Sequence, residues 1–178
     1  MLKDIGTITS IVAVVVFLLS YLQRKRITIL AFNITSRVLY ILSYVFLGAL
    51  SGALLDVMGT AIAALAGKKN SGFVKKHLKV VIIGTSLATV IAGIVTWVLF
   101  EPDKWYAFMP IVGILLQAGA FWLDDEKWIR RLSLAGCPFW FTYNLLTPGS
   151  YAFIGDVLSA FSLLISMYRY DLKKNSNK

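Results

Sequence analysis

Arg37, Asp56 and Asp156 lie inside long apolar stretches of the chain, where an ionised side chain costs about 2.5–3.5 kcal/mol even on a lenient insertion scale. Such residues face a cavity or a partner. Arg37 sits about ten residues into its stretch, hence about 15 Å from the nearer end at 1.5 Å per residue, too deep to snorkel out easily. Two chemistries suit it: an internal clamp on helix carbonyls or acids, or a contact to an anionic ligand group. Asp56 and Asp156 lie about 7 Å below the neighbouring turns by the same rise. Each is either a carboxyl hydrogen-bonded within the bundle, or a cavity acid that takes a cation, a proton or a ligand hydroxyl. The axial gap between Arg37 and Asp56 is about 12 Å, so a water-bridged pair is expected in preference to a direct one.

Cys137, Trp140, Tyr143 and Asn144 recur at spacings of three and four and share one helical face. An indole, a phenol and an amide on one stripe can stack on a flat or sugar-like ring and hydrogen-bond its edge. The bland alternative is an aromatic packing seam with Asn144 bonding across helices. Asn33, Arg37, Tyr40 and Tyr44 line up in the same way on an earlier segment. Gln117 is a lone amide that either lines the same space or ties helices together. Pro138 removes one backbone hydrogen bond inside its segment, and with Pro110 it is a candidate hinge.

Other chemistries are poorly provided for. One histidine, His77, and one cysteine leave no metal-ligating cluster and no disulfide framework. HExxH, GxSxG and the phosphate-binding GxxxxGK[ST] are all missing. The sequence therefore points away from an enzyme, a metal site, a bound cofactor or direct ATP hydrolysis. A net charge of +9 invites nucleic acid in a soluble protein, but this is not a soluble composition. Of 178 residues 58% are hydrophobic and only 15% charged, against about 25% charged in an ordinary soluble domain. Mean hydropathy is +0.74. The expectation is a polytopic all-α membrane protein.

Stretches of about 17–25 apolar residues can cross a bilayer as helices, and seven are read at 6–22, 27–49, 51–67, 79–100, 107–123, 128–147 and 151–168. Turns of Gly48–Gly52 and Thr147–Ser150 divide two of the longest runs into hairpins. Basic residues gather after the first, third, fifth and seventh spans, at Arg24–Arg26, Lys68–Lys79, Lys127–Arg131 and Arg169–Lys178. The positive-inside rule then places the N-terminus outside and the C-terminus in the cytoplasm. Trp97, Trp105, Trp122 and Trp128 flank span ends and read as interface anchors. The run Lys68–Lys79 could also hold anionic lipid headgroups.

Adding 100 to a residue number superposes spans one to three on spans five to seven without a gap. Ile11-Val12 falls on Ile111-Val112, Ile29 on Ile129, Tyr40 on Trp140, and Asp56-Val57 on Asp156-Val157. This predicts a first triple-helix unit over 1–70, a basic loop and linker span over 71–104, a second unit over 105–171 and a basic tail at 172–178. Parallel repeats with a site between them are a transporter architecture.

The outline resembles the SWEET and PQ-loop transporters and the PnuC-type vitamin transporters. Phe108-Met109-Pro110-Ile111-Val112-Gly113, Arg131, Trp140-Phe141-Thr142-Tyr143-Asn144 and Gly149-Ser150 are more closely similar to the YgjV-type bacterial inner-membrane proteins, as is Leu47–Leu55. The resemblance implies a multi-pass protein of the bacterial cytoplasmic membrane with a SWEET-like 3+1+3 bundle, and it implies no particular substrate. It departs from the SWEET pattern in one respect: Pro110 has Ser10, not a proline, as its first-repeat equivalent. The expected function is a carrier or facilitator for a small polar or aromatic solute, sugar- or vitamin-like, working by alternating access. Expected ligands of that solute are Asn144, Trp140, Tyr143, Arg37, Tyr40, Asn33 and Gln117, with Asp56 and Asp156 as cavity acids or ion-coupling groups. The competing expectation is a non-transporting scaffold or lipid-sensing module. Expected partners are the solute and membrane lipids, not nucleic acid, with homo-oligomerisation left open.

Overall fold

The computed structural model describes residues 2–47, 50–100, 102–146 and 152–172. The turn Thr147–Ser150, residues 48 and 49 of the other turn, and residues 173–178 of the basic tail lie outside them. Eight α-helices make up most of the described chain: α1 Leu2–Tyr21, α2 Arg26–Leu47, α3 Leu50–Gly67, a short α4 Gly72–Lys76, α5 Leu78–Phe100, α6 Met109–Ala120, α7 Glu126–Leu146 and α8 Ala152–Met167. A 3-10 turn at Trp105–Phe108 leads into α6, and α8 runs on into a π-turn at Tyr168–Leu172.

The chain is all-helical, as its composition requires. Asp4–Tyr21, Arg26–Phe46 and Leu78–Phe100 are long and apolar enough to cross a membrane, while Gly52–Gly67 and Trp105–Ala120 are apolar but shorter. α7 has the length, but Glu126, Lys127, Arg130 and Arg131 in its first turns lower its hydropathy. Side chains are distributed as lipid demands. Ile8, Ile91 and Phe161 are more than half exposed, whereas Asn33, Ser36 and Ser133 are fully buried. With no water to satisfy them, polar groups turn inward and apolar ones face the acyl chains.

Consecutive helices pack within two groups, α1 on α2 on α3 and α6 on α7 on α8. Between the groups α3 meets α6 and α1 meets α8, two contacts that a shift of 100 residues interchanges. The shift is visible in detail. α2 starts at Arg26 and α7 at Glu126, and α3 ends at Gly67 and α8 at Met167. Positions 29, 30, 33, 36 and 37 are buried and so are 129, 130, 133, 136 and 137. The same holds for 55, 59, 62, 63 and 66 against 155, 159, 162, 163 and 166.

α5 packs on α3 and α6 from outside. It buries only Thr89, Gly93 and Thr96, a narrow stripe of small residues that lets helices approach closely where lipid offers no hydrophobic drive.

Cations at one end do more than mark topology. The last carbonyls of a helix lack intrahelical donors, and Arg26 supplies them across the molecule. Its guanidinium donates to Ala66 O at the end of α3 (2.8 Å) and to Phe121 O and Leu123 O beyond α6 (2.5 and 3.0 Å). Lys69 donates to Trp122 O (2.9 Å), and on the related side Tyr170 Oη donates to Leu22 O (3.1 Å). Lys69 also pairs with Asp124 at 2.5 Å, whose carboxyl its hydrogen bond and charge hold below the usual carboxylate range. That contact is present at neutral pH and is lost as the pH falls through the depressed value. Trp122 is 8% exposed and packs in the core, so the expectation that it anchors at the interface is corrected; Trp105 and Trp128 are exposed.

Arg130 is buried and pairs through two nitrogens with both carboxylate oxygens of buried Asp171, beneath the Tyr170 ring. Arg130→Met strands that carboxylate and is expected to cost about 3–5 kcal/mol, whereas Arg130→Met/Asp171→Leu recovers most of the loss. Thermal unfolding of the two variants in detergent micelles checks the ordering.

Candidate functional site

A cavity of about 50 Å³ lies inside the bundle where the two helix groups meet. A water needs about 10–15 Å³ on this scale, so the space holds a few waters. Twelve residues line it, and ten of them fall into five pairs separated by 100: Phe17 and Gln117, Arg37 and Cys137, Tyr40 and Trp140, Tyr44 and Asn144, Asp56 and Asp156. Gly155 and Ser159 complete the wall.

The helical spacing explains the gathering. Residues 37, 40 and 44 form one face of α2, and 137, 140 and 144 the related face of α7. α3 and α8 each contribute an acid from their second turn.

Arg37 and Asp56 form a direct ion pair at 2.6 Å, both nearly inaccessible. The expected water bridge is corrected, because the arginine runs along its helix toward α3 and closes the axial gap. Arg37 Nε donates to Asn33 Oδ1 at 2.9 Å, one turn earlier on α2. A carboxylate plus an amide oxygen thus satisfy the guanidinium on two sides. Gly59 makes room for it: a Cβ there would lie 2.5 Å from Arg37 Nη1.

The second group keeps the acid and drops the cation. Asp156 accepts from Asn144 Nδ2 at 2.7 Å. Arg37's counterpart is Cys137, whose thiol donates to Ser133 O (3.4 Å). No ion pair to Asp156 occurs among the described residues. Trp140 lies against Gly113, where a Cβ would come within 2.7 Å of its ring, and its indole N–H is buried with no hydrogen-bond partner. Asn33 Nδ2 is likewise unpartnered. Tyr40 and Tyr44 stack with ring centres 6.0 Å apart, and Phe17 meets Tyr40 edge-on.

Of the nine candidate ligands and acids, the cavity wall contains Arg37, Tyr40, Asp56, Gln117, Trp140, Asn144 and Asp156. Asn33 stands behind Arg37. Tyr143 is not on the wall; its ring leans on Tyr106, 6.1 Å away, because two successive steps of three residues turn it about 120° around the helix from Cys137, whereas the steps of three and seven keep Trp140 and Asn144 near it. Pro138 is inside α7 and lines a neighbouring groove between α7 and α8. Pro110 occupies the first turn of α6, where the missing N–H has no intrahelical partner to lose. Phe17 and Ser159 were not anticipated. Phe17 was within reach, being Gln117 less 100; nothing in the sequence distinguished Ser159 from other serines.

The sequence model of the family Imp-YgjV, described as bacterial inner membrane protein, matches residues 4–174. The chain belongs to that family. No curated protein and no solved structure matches it. As an Imp-YgjV member the chain is a bacterial inner membrane protein, and its apolar helices with an inward polar network are what that setting demands.

Gly113→Ala and Gly59→Ala in this Imp-YgjV protein each force a Cβ into a cavity residue and are expected to cost about 1–3 kcal/mol. Gly119→Ala, with nothing within 4 Å, is expected to be neutral or to stabilise by up to about 1 kcal/mol. Melting midpoints of the three purified variants test the contrast.

Proposed function

We propose that this protein is a carrier or facilitator for a small polar or aromatic solute, sugar- or vitamin-like, held between two triple-helix units in a seven-span 3+1+3, SWEET-like bundle. The observation that carries the reading is the cavity wall: five residue pairs at a constant separation of 100, polar at the centre and placed where the two groups meet. Sites on the axis between parallel repeats serve alternating access, because rocking one unit against the other exposes the same residues to either side. With a volume of about 50 Å³, the cavity admits a ring-sized solute in this reading only when the units part. The distribution of basic loops supports an N-terminus outside and a cytoplasmic C-terminus.

In this reading Trp140 and Tyr40 stack on the solute, Asn144 and Gln117 hydrogen-bond its edge, and the free indole N–H of Trp140 donates to it. Arg37 is committed to Asp56 and Asn33, so it shapes the wall and is not an anion receptor. No residue is assigned a catalytic role.

Thermal melting of the purified protein against a panel of sugars, nucleosides and vitamins should reveal a stabilising ligand, worth about 2.7 kcal/mol at 100 times its Kd. Trp140→Ala and Asn144→Ala should remove the stabilisation and at least tenfold of the uptake into proteoliposomes, with membrane abundance unchanged. Full uptake by either variant would exclude this site, and no stabilising ligand or uptake across the panel would favour a scaffold.

A further inference from the structure

Beside the central cavity, the lipid-facing surface opens into an apolar groove of about 410 Å³ between α7 and α8. That is within the range of small-ligand pockets, about 300–1,000 Å³. Leu134, Pro138, Phe141, Val157 and Phe161 form its walls. Two residues, Cys137 and Asp156, line both the groove and the central cavity. A carboxylate therefore stands where an apolar slot open to the bilayer meets a polar interior.

The internal repeat shows what this carboxylate lacks. In the first unit the corresponding Asp56 is bound by Arg37 at 2.6 Å. In the second unit the position of that arginine is occupied by Cys137, and among the described residues the Asn144 amide is what bonds Asp156, at 2.7 Å. No described residue supplies a cation in its place. Tyr40 and Trp140 face the same cavity, and aromatic faces attract an organic cation.

We infer that Asp156 takes its cation from a ligand: a single-chain amphiphilic amine that enters from the plane of the bilayer. Its ammonium binds Asp156 in the place that Arg37 fills in the first unit, and its chain lies in the α7–α8 groove. A phosphate-bearing headgroup does not fit, since none of the groove residues is basic and Arg37 is already paired. The inference rests on the reading of the central cavity as a ligand site, and it narrows the ligand to a class.

The test uses the full chain in maltoside micelles with dodecylamine, dodecanol, dodecyl sulfate and a lysophosphatidylethanolamine at equal concentrations, read by thermal melting and by competition binding. Dodecylamine should raise the melting point well above the effect of the other three. Asp156→Asn should weaken its binding tenfold or more. Cys137→Arg/Ser159→Gly, which restores both the cation and the space that Gly59 provides in the first unit, should abolish it because the new guanidinium supplies the missing cation. Val157→Trp, on the lipid-facing wall, keeps folding separable from binding: it should weaken dodecylamine but not butylamine. Equal stabilisation by dodecanol, or undiminished amine selectivity in Asp156→Asn, overturns the inference. If polar solutes bind in a Trp140-dependent way while the amine shows no preference, the carrier reading stands and this inference falls. Amine binding that needs Asp156, without binding of any polar solute, supports this inference and removes the other.

Discussion

A guanidinium buried among apolar helices has to be answered by fixed partners, because lipid offers no water to its N–H groups. In this protein the answer is built from three elements of sequence. Asn33 stands one turn before Arg37, Asp56 faces it from α3, and Gly59 provides the space that its head occupies. Much of the first unit follows from that pair. α2 and α3 must run close enough for a 2.6 Å contact, which bulky residues at the crossing would prevent, and Tyr44 must lie flat over Gly52, where a Cβ would sit 3.1 Å from its ring.

The second unit uses the same scaffold with the charge removed. Cys137 takes the arginine's place, and small residues allow a different close approach, between α6 and α7: a Cβ on Gly136 would lie 3.0 Å from both Gln117 Cγ and Gly113 O. What the second unit leaves is an acid with an amide for a partner. The asymmetry sits in the middle of an otherwise regular pseudo-two-fold arrangement. In such arrangements differences between the halves, more than their likeness, set what the shared cavity can hold.

At the basic end, charge is used twice. Arg26, Lys69 and Arg130 belong to the basic clusters of the sequence. The same side chains also bond helix-terminal carbonyls and a buried carboxylate. Helix C-termini carry partial negative charge and unsatisfied acceptors, so a cation is favoured there on both counts. The contacts run between the units, from Arg26 to the end of α6 and from Lys69 to Trp122, and tie one end of the bundle together. The hairpin end shows no equivalent clamp among the described residues.

The helical class, the apolar exterior, the 100-residue repeat and the two polar stripes were legible in the primary structure, because hydropathy, spacing and periodicity are local properties of the chain. The stripes even predicted most of the cavity wall, since residues at spacings of three and four must share a helical face. Three things could be decided only by tertiary packing. Arg37 reaches Asp56 directly because its long side chain, given space by Gly59, closes an axial gap that rise per residue alone keeps open. Tyr143 leaves the wall for Tyr106 because it lies about 120° around α7 from Cys137 and the 3-10 turn before α6 brings Tyr106 to that side. Arg130 and Asp171, 41 positions apart, become a buried pair because the chain continues past α8 in a π-turn that no local pattern announced. Spacing determines which residues can share a face; only the packing of one helix on another determines what that face meets.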